Sequence, residues 1–337
     1  GGNSISTSEF KNYTLNDGTV LIAVTLTSNF SSVKISLLGG GANGVRIYYA
    51  YYPNNPTNSS NPYPSIASDC GLPNATTLKS TGLSILGSTN VLNSERAIDV
   101  DVTSSTYSTF RVGTLSALAT LTQTYHFNGD SNVGDGIRIV LGYGAPSLNV
   151  ELLSGITVQA YRGNSSYGSS VNINNLLTLG LGRVILNSDK FEIYFIPNKP
   201  GANDGFDRVD VTLNLAVVLT TGDALYVYDV RRIPEIPTSQ DVTHCENLGA
   251  VSLSALSNQE NLLGNLLTFN WYQEPFGGTS NGIGKTFTPT GLTAPISKQY
   301  YVDVFKSGCP ITSPSARKKI NFTILKTSLL PPLNILP

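Results

Sequence analysis

The chain has 337 residues, of which 40% are hydrophobic and only 13% charged, and its formal net charge is −1. That balance excludes an intrinsically disordered chain, and the want of a basic stripe excludes nucleic-acid binding, which needs clustered cations to displace counterions. No run of about 18 apolar residues occurs, so no transmembrane helix is expected.

Strand patterns begin early, with "TVLIAVTLT" (19–27), "VKISLL" (33–38) and "VRIYYAYY" (45–52). Between the last two, "GGGANG" (39–44) satisfies G-x-G-x-x-G. A nucleotide fingerprint needs a helix next, and a strand pattern follows instead, so the stretch reads as a turn. In "YYAYYP" (48–53), Tyr48 and Tyr52 share one strand face and Tyr49 and Tyr51 the other. These four are candidate contacts for a sugar ring or a partner subunit, weighed against ordinary cross-strand packing. The proline- and asparagine-rich "YYPNNPTNSSNPYPS" (51–65) cannot continue a strand and marks a soft boundary.

Further along, "GIRIVLG" (136–142), "GITVQAY" (155–161), "KFEIYFIP" (190–197), "DRVDVTLNLAVVL" (207–219) and "ALYVYDV" (224–230) read as strands. Each is β-branched or aromatic, and each is bounded by Gly, Pro, Asn or Asp. Helical periodicity is nearly absent; residues 173–183 and 259–267 each suit a short helical turn. Two loops gather hard oxygen ligands of the kind calcium takes. "NGDSNVGDG" offers Asp130, Asn132 and Asp135, and "GANDGFD" offers Asn203, Asp204 and Asp207. Ordinary Asx-Gly turns have the same composition.

The polar, proline-bearing "RRIPEIPTSQDVTHC" (231–245) reads as a linker, and about 90 residues follow, the size of one immunoglobulin-like sandwich. The expected organisation is an unassigned β segment (1–65), a jelly roll (66–235), a linker (236–245), an immunoglobulin-like domain (246–326) and a Pro-rich tail (327–337). The fold class is therefore all-β. With two histidines, three cysteines and no H-E-x-x-H, G-x-S-x-G or C-x-x-C, no catalytic motif is found. Cys245 and Cys309 flank strands of the same module, and a disulfide between them is expected, leaving Cys70 over. Such a bridge would add roughly 4 kcal/mol by chain entropy. Trp271, between them, is the natural core aromatic. The chain has no methionine and begins at Gly1 without a signal-like run, which fits a processed, exported product.

The stretch 269–325, with "FNWYQ", a Gly-Gly turn, "TFT", "YYVDV" and "SGCP…SAR", resembles the immunoglobulin-like modules of large surface proteins in gliding and biofilm-forming Bacteroidota. Upstream, "ERAIDVDVTSSTYSTF" (95–110) is similar to the galactose-binding-like jelly rolls that precede such modules. Val100 stands where those domains carry glycine after Asp99, so no site is carried over to Asp99 and Asp101. The resemblance implies type IX secretion and display at the cell surface. The resulting expectation is a non-catalytic extracellular adhesin or filament subunit that associates with itself or with other surface proteins. The alternative is a glycan-binding module, with Ca2+ as its cofactor.

Overall fold

The structure, a computed structural model, describes residues 10–24, 35, 47, 70–82, 89–99, 105–113, 119–143, 150–185, 189–199, 205–214, 222–246, 249–263, 266–309 and 313–326. The chain is all-β, as its alternating pattern requires. The N-terminal sandwich contains β1 (Phe10–Leu15), β2 (Val20–Val24), β3 (Ala75–Thr81), β4 (Asn90–Leu92), β5 (Ser108–Val112), β6 (Thr120–His126) and β7 (Gly136–Tyr143). It continues with α1 (Val150–Gly155), β8 (Ile156–Arg162), β9 (Ser165–Asn172), α2 (Ile173–Thr178), β10 (Gly182–Val184), β11 (Lys190–Phe195), β12 (Arg208–Asn214) and β13 (Gly222–Ile233). One sheet has seven strands in the order β2-β1-β3-β6-β12-β8-β9, and the other six in the order β10-β11-β7-β13-β5-β4.

Period-two alternation explains the layers. In β12, Val209, Val211 and Leu213 are wholly buried while their neighbours are half-buried. In β8, Ile156, Val158 and Ala160 do the same. Together with Phe110, Tyr125, Phe127, Phe191 and Leu225 from both sheets they form one core. At about 25 cal/mol per Å² of apolar surface removed from water, this packing is the main favourable contribution to folding.

The C-terminal module contains β14 (Val242–Cys245), β15 (Leu253–Ser254), α3 (Glu260–Leu263), β16 (Leu267–Tyr272), β17 (Gly282–Ile283), β18 (Thr286–Phe287), β19 (Ile296–Lys306) and β20 (Lys318–Leu325). Its main sheet runs β14-β20-β19-β16-β17 and faces the β15-β18 pair. Trp271 is the core aromatic: it is wholly buried, stacks on Phe287 and donates its Nε1–H to the Gly284 carbonyl at 2.8 Å.

Two expectations are corrected. Residues 236–245 are not a free linker. Ile236 packs in the apolar cluster between the modules, Thr238 bridges to Leu256, and β14 pairs in parallel with β20. Nor do Cys245 and Cys309 pair. Cys245 lies opposite Leu325, beside the Ile296 end of β19, whereas Cys309 follows its Lys306 end. β19 has 11 residues, so at ~3.4 Å each its ends are roughly 34 Å apart, far beyond the ~7 Å that a disulfide can span. Cys309 instead bonds Cys70, with Cα atoms 5.5 Å apart and a sequence separation of 239, and Cys245 is free.

This bridge joins the segment just before β3 to the far end of β19, and polar contacts reinforce it. Gly71, next to Cys70, accepts the Arg232 N–H at 2.7 Å. Its φ is +79°, and a Cβ there would sit 2.1 Å from the Arg232 carbonyl oxygen, so only glycine fits. Gln259 of the C-terminal module donates to buried Asp135 at 2.7 Å and to the Val133 carbonyl at 3.0 Å. Tyr194, Ile233 and Ala316, with Ile236 and Phe276, form an apolar cluster between the modules.

His126 ends β6, buried against Tyr13 and hydrogen-bonded to Thr77 Oγ1 at 3.0 Å. Burial, with help from Arg208 and Lys11, lowers its pKa to about 3. The unfolded imidazole titrates near 6.5. Between these values the unfolded chain binds a proton that the folded one excludes, so this residue's contribution to stability is lost as pH falls through that window. In denaturant titrations at successive pH values, His126→Gln should remove a slope approaching ~1.4 kcal/mol per pH unit. Parallel wild-type and variant curves would contradict the assignment.

Candidate functional site: an arginine-lined cleft between the modules

The outer face of the six-stranded sheet carries charge where its inner face carries core. In β7, β11 and β13 the inward residues Ile139, Ile193 and Val230 are wholly buried in the core. Their neighbours project the other way. Register places Arg231, Arg138 and Tyr194 directly opposite one another on adjacent strands. One row further, Asp229 and Glu192 flank Val140, with Arg183 opposite Glu192. Two arginines side by side on a sheet repel; the acids of the next row compensate.

Asp229 accepts Arg231 Nε through both oxygens, at 2.7 and 2.9 Å, and Arg138 Nη1 at 2.7 Å. Glu192 accepts Arg138 Nε and, at 2.8 Å, Arg183 Nε. Burial works against both charges in the Arg138–Glu192 pair, yet the mutual attraction prevails. Arg138 is held above its ordinary pKa by Glu192 and Asp229, and Glu192 below its own by Arg138 and Arg183.

The C-terminal module supplies the opposite wall. Asp303 alternates with the core residues Val302 and Val304 on β19, so it points away from that core toward the junction. Arg317 reaches Asp303 at 3.4 Å, donates to the Glu274 and Gly277 carbonyls at 2.8 Å each, and lies 3.3 Å above the Tyr272 ring. The carbonyls converge because Gly277 and Gly278 take φ of +61° and +72°. Burial raises the Asp303 carboxyl to about 6 despite Arg317, Tyr272 and Asn270.

Between the walls lies a cavity of about 270 Å³, lined by Arg138, Arg183, Arg231 and Arg317 with Glu192, Tyr194, Asp303 and Phe276 among others. The Arg231 side chain is 1% exposed, and its Nη1 and Nη2 have no hydrogen-bond partner. Asp303 Oδ1 is likewise buried and unpartnered. The arrangement can bind an anion. Sequence reasoning missed it, although charged residues at outward positions of otherwise apolar strands were the visible signal.

The expected site residues fall elsewhere. Asp130 is engaged by Arg162 at 2.9 Å, and Asp135 by Gln259 and the Asn132 N–H. Asp207 accepts the Gly163 N–H at 2.9 Å. Among the described residues, no group of three or more His, Cys, Asp or Glu is arranged to hold a metal. Tyr48, Tyr49, Tyr51, Tyr52, Asn203 and Asp204, and the "GGGANG" stretch, lie outside the described residues. No described helix is long and apolar enough to cross a membrane.

No curated protein matches the chain. Among solved structures, a β-1,2-glucanase from Parabacteroides distasonis is 11% identical with a TM-score of 0.32. The match covers 79% of this chain but only 39% of that one, so the chain spans about two fifths of the glucanase. A fucose-binding module from Streptococcus pneumoniae is 15% identical, with a TM-score of 0.24 and coverage of 46% of this chain and 88% of that one. The adhesin domain of Epf from Streptococcus pyogenes is 12% identical, with a TM-score of 0.22 and coverage of 67% and 78%. At these scores no residue role is carried over from any of them. Residues 234–325, from the end of β13 to the end of β20, match the family described as Ig-like domain, CHU_C associated.

Proposed function

We propose that this chain is a non-catalytic protein of the cell exterior, a stiff two-module adhesive or structural element displayed at the surface by type IX secretion. The observation that carries the proposal is the Cys70–Cys309 bridge between the modules. Disulfides persist in oxidising compartments and are rare in the reducing cytosol. This one also shortens the load path: tension applied at the chain ends bypasses everything between residues 70 and 309. Such a covalent shunt suits a protein that is pulled. The Bacteroidota-associated immunoglobulin-like match supports the same setting.

The filament form of this proposal is supported by β2, the edge of the seven-stranded sheet among the described residues. It exposes Val20, Ile22 and Val24, and an open apolar edge is a template for pairing with another copy. A glycan-binding role with calcium near Asp130 and Asp207 is the second reading. In its favour, Asp207 Oδ1 is buried without a hydrogen-bond partner, close enough to Asp130 to feel its charge. Thermal unfolding that is unchanged by millimolar calcium or by chelator would remove that second reading.

Immunogold electron microscopy of intact cells should place the protein outside, along fibres. Isolated particles outside would remove the filament form alone, and gold confined to the cytoplasm would overturn the whole reading. Pulling single molecules from their ends tests the shunt. Reduction should release the 239 residues of separation that the bridge protects, about 80 nm of extra length at ~3.3–3.6 Å per residue. Equal lengths with and without reductant would contradict it.

A further inference from the structure

We propose that the cleft between the modules binds a small hydroxylated carboxylate, an acidic monosaccharide free or at the end of a chain, anchored by Arg231. The proposal does not rest on surface display, because the chemistry of the cleft is the same wherever the chain works.

Arg231 is fixed from behind. Its Nε is held by Asp229, which Arg138 also holds, so the guanidinium is fixed in place. Its two remaining nitrogens are buried and have no partner in the protein. Leaving buried charged donors unpaired is costly, and a ligand that brings the Arg231 side chain, part of the cavity lining, into contact would recover that cost. The cavity, about 270 Å³, would hold about nine waters at ~30 Å³ each. It is also close to the low end of small-molecule sites, ~300 Å³, which suits a single sugar ring better than an oligomer.

The fork selects the chemistry. Two parallel N–H donors in one plane match a carboxylate, which accepts both. Charge agrees: Arg138, Arg183, Arg231 and Arg317 face or line the cleft against Glu192, Asp303 and, behind Arg231, Asp229. Four cations against three anions leave one positive charge for a monoanion to neutralise. The orphaned Asp303 Oδ1 on the facing wall adds a second requirement. It needs a donor, which a hydroxyl supplies and a simple inorganic anion does not. Phe276 lines the same cavity, with the Arg183 guanidinium 5.1 Å from its ring centroid, and gives the ring C–H groups an apolar face.

The test is calorimetry on the full chain with its disulfide intact, at low ionic strength. The probes are galacturonate, glucuronate and N-acetylneuraminate, each beside its neutral methyl ester, with inorganic sulfate and an oligogalacturonate as further arms. At least one acid should bind tighter than its ester and than sulfate by about tenfold or more, because the ester leaves the fork unpaired. The oligomer should bind with no more than one ring engaged, at the monomer's affinity. Arg231→Lys keeps the charge but not the fork and should weaken binding by about tenfold. Asp303→Ala removes a like charge and the acceptor together, so it should tighten sulfate while the acid, deprived of its hydroxyl's partner, gains less than sulfate does. The proposal is overturned if every acid binds no better than its ester, if sulfate matches the best acid, or if folded Arg231→Lys binds like wild type. The acid–ester comparison on the wild-type chain decides the matter even where a variant fails to fold.

Discussion

A single covalent bond between Cys70 and Cys309 determines how the two modules meet, and the remaining architecture is arranged around it. The bond closes a loop with a sequence separation of 239. In the chain-entropy view, a loop of that size stabilises the folded state by roughly 5 kcal/mol. That figure exceeds what any one noncovalent contact at the junction supplies. The contacts next to it are of a kind that tolerates no slack. Gly71 leaves no room for a Cβ against Arg232, and buried Asp135 Oδ1 keeps its hydrogen bond only while Gln259 is in place. Burial raises the Asp135 pKa even with Lys306, Arg232 and Gln259 nearby, which shows how far that carboxyl has been withdrawn from water.

The same docking turns the outer face of the six-stranded sheet into an interior. Buried ion pairs are weak sources of net stability, since desolvation offsets most of their attraction. The Arg231–Asp229–Arg138–Glu192–Arg183 array is therefore poorly explained as a stabilising device. A chain seeking only stability would put apolar residues under the C-terminal module, as it does a few residues away with Ile233 and Ala316. A rigid charge array in a cleft, with a buried arginine incompletely paired, marks a candidate site.

Much of the fold was legible in the sequence. β11 and β12 lie within the runs read as strands, β7 and β8 overrun theirs by one residue, β13 extends past its run at both ends, and α2 falls inside the stretch read as a helical turn. β3 and β9 escaped, because "ATTLKST" and "SSYGSSVN" carry threonine and serine where a strand pattern has Val or Ile. Their strand character comes from pairing with β6 and β8, a tertiary cause. The cysteine pairing failed for a related reason. Cys245 and Cys309 share a module, but only the register of β14, β20 and β19 shows that they sit at opposite ends of it. The cleft was the least legible. Arg138, Glu192, Asp229 and Arg231 occupy alternate positions that sequence alone assigns to solvent, and nothing local reveals that another module covers them.

Mapping the disulfide in non-reduced protein by mass spectrometry tests the central claim most directly. The account predicts a cross-linked peptide pair containing Cys70 and Cys309, with Cys245 recovered as a free thiol that alkylates. A Cys245–Cys309 peptide pair, or three free thiols in protein isolated without reductant, would contradict it.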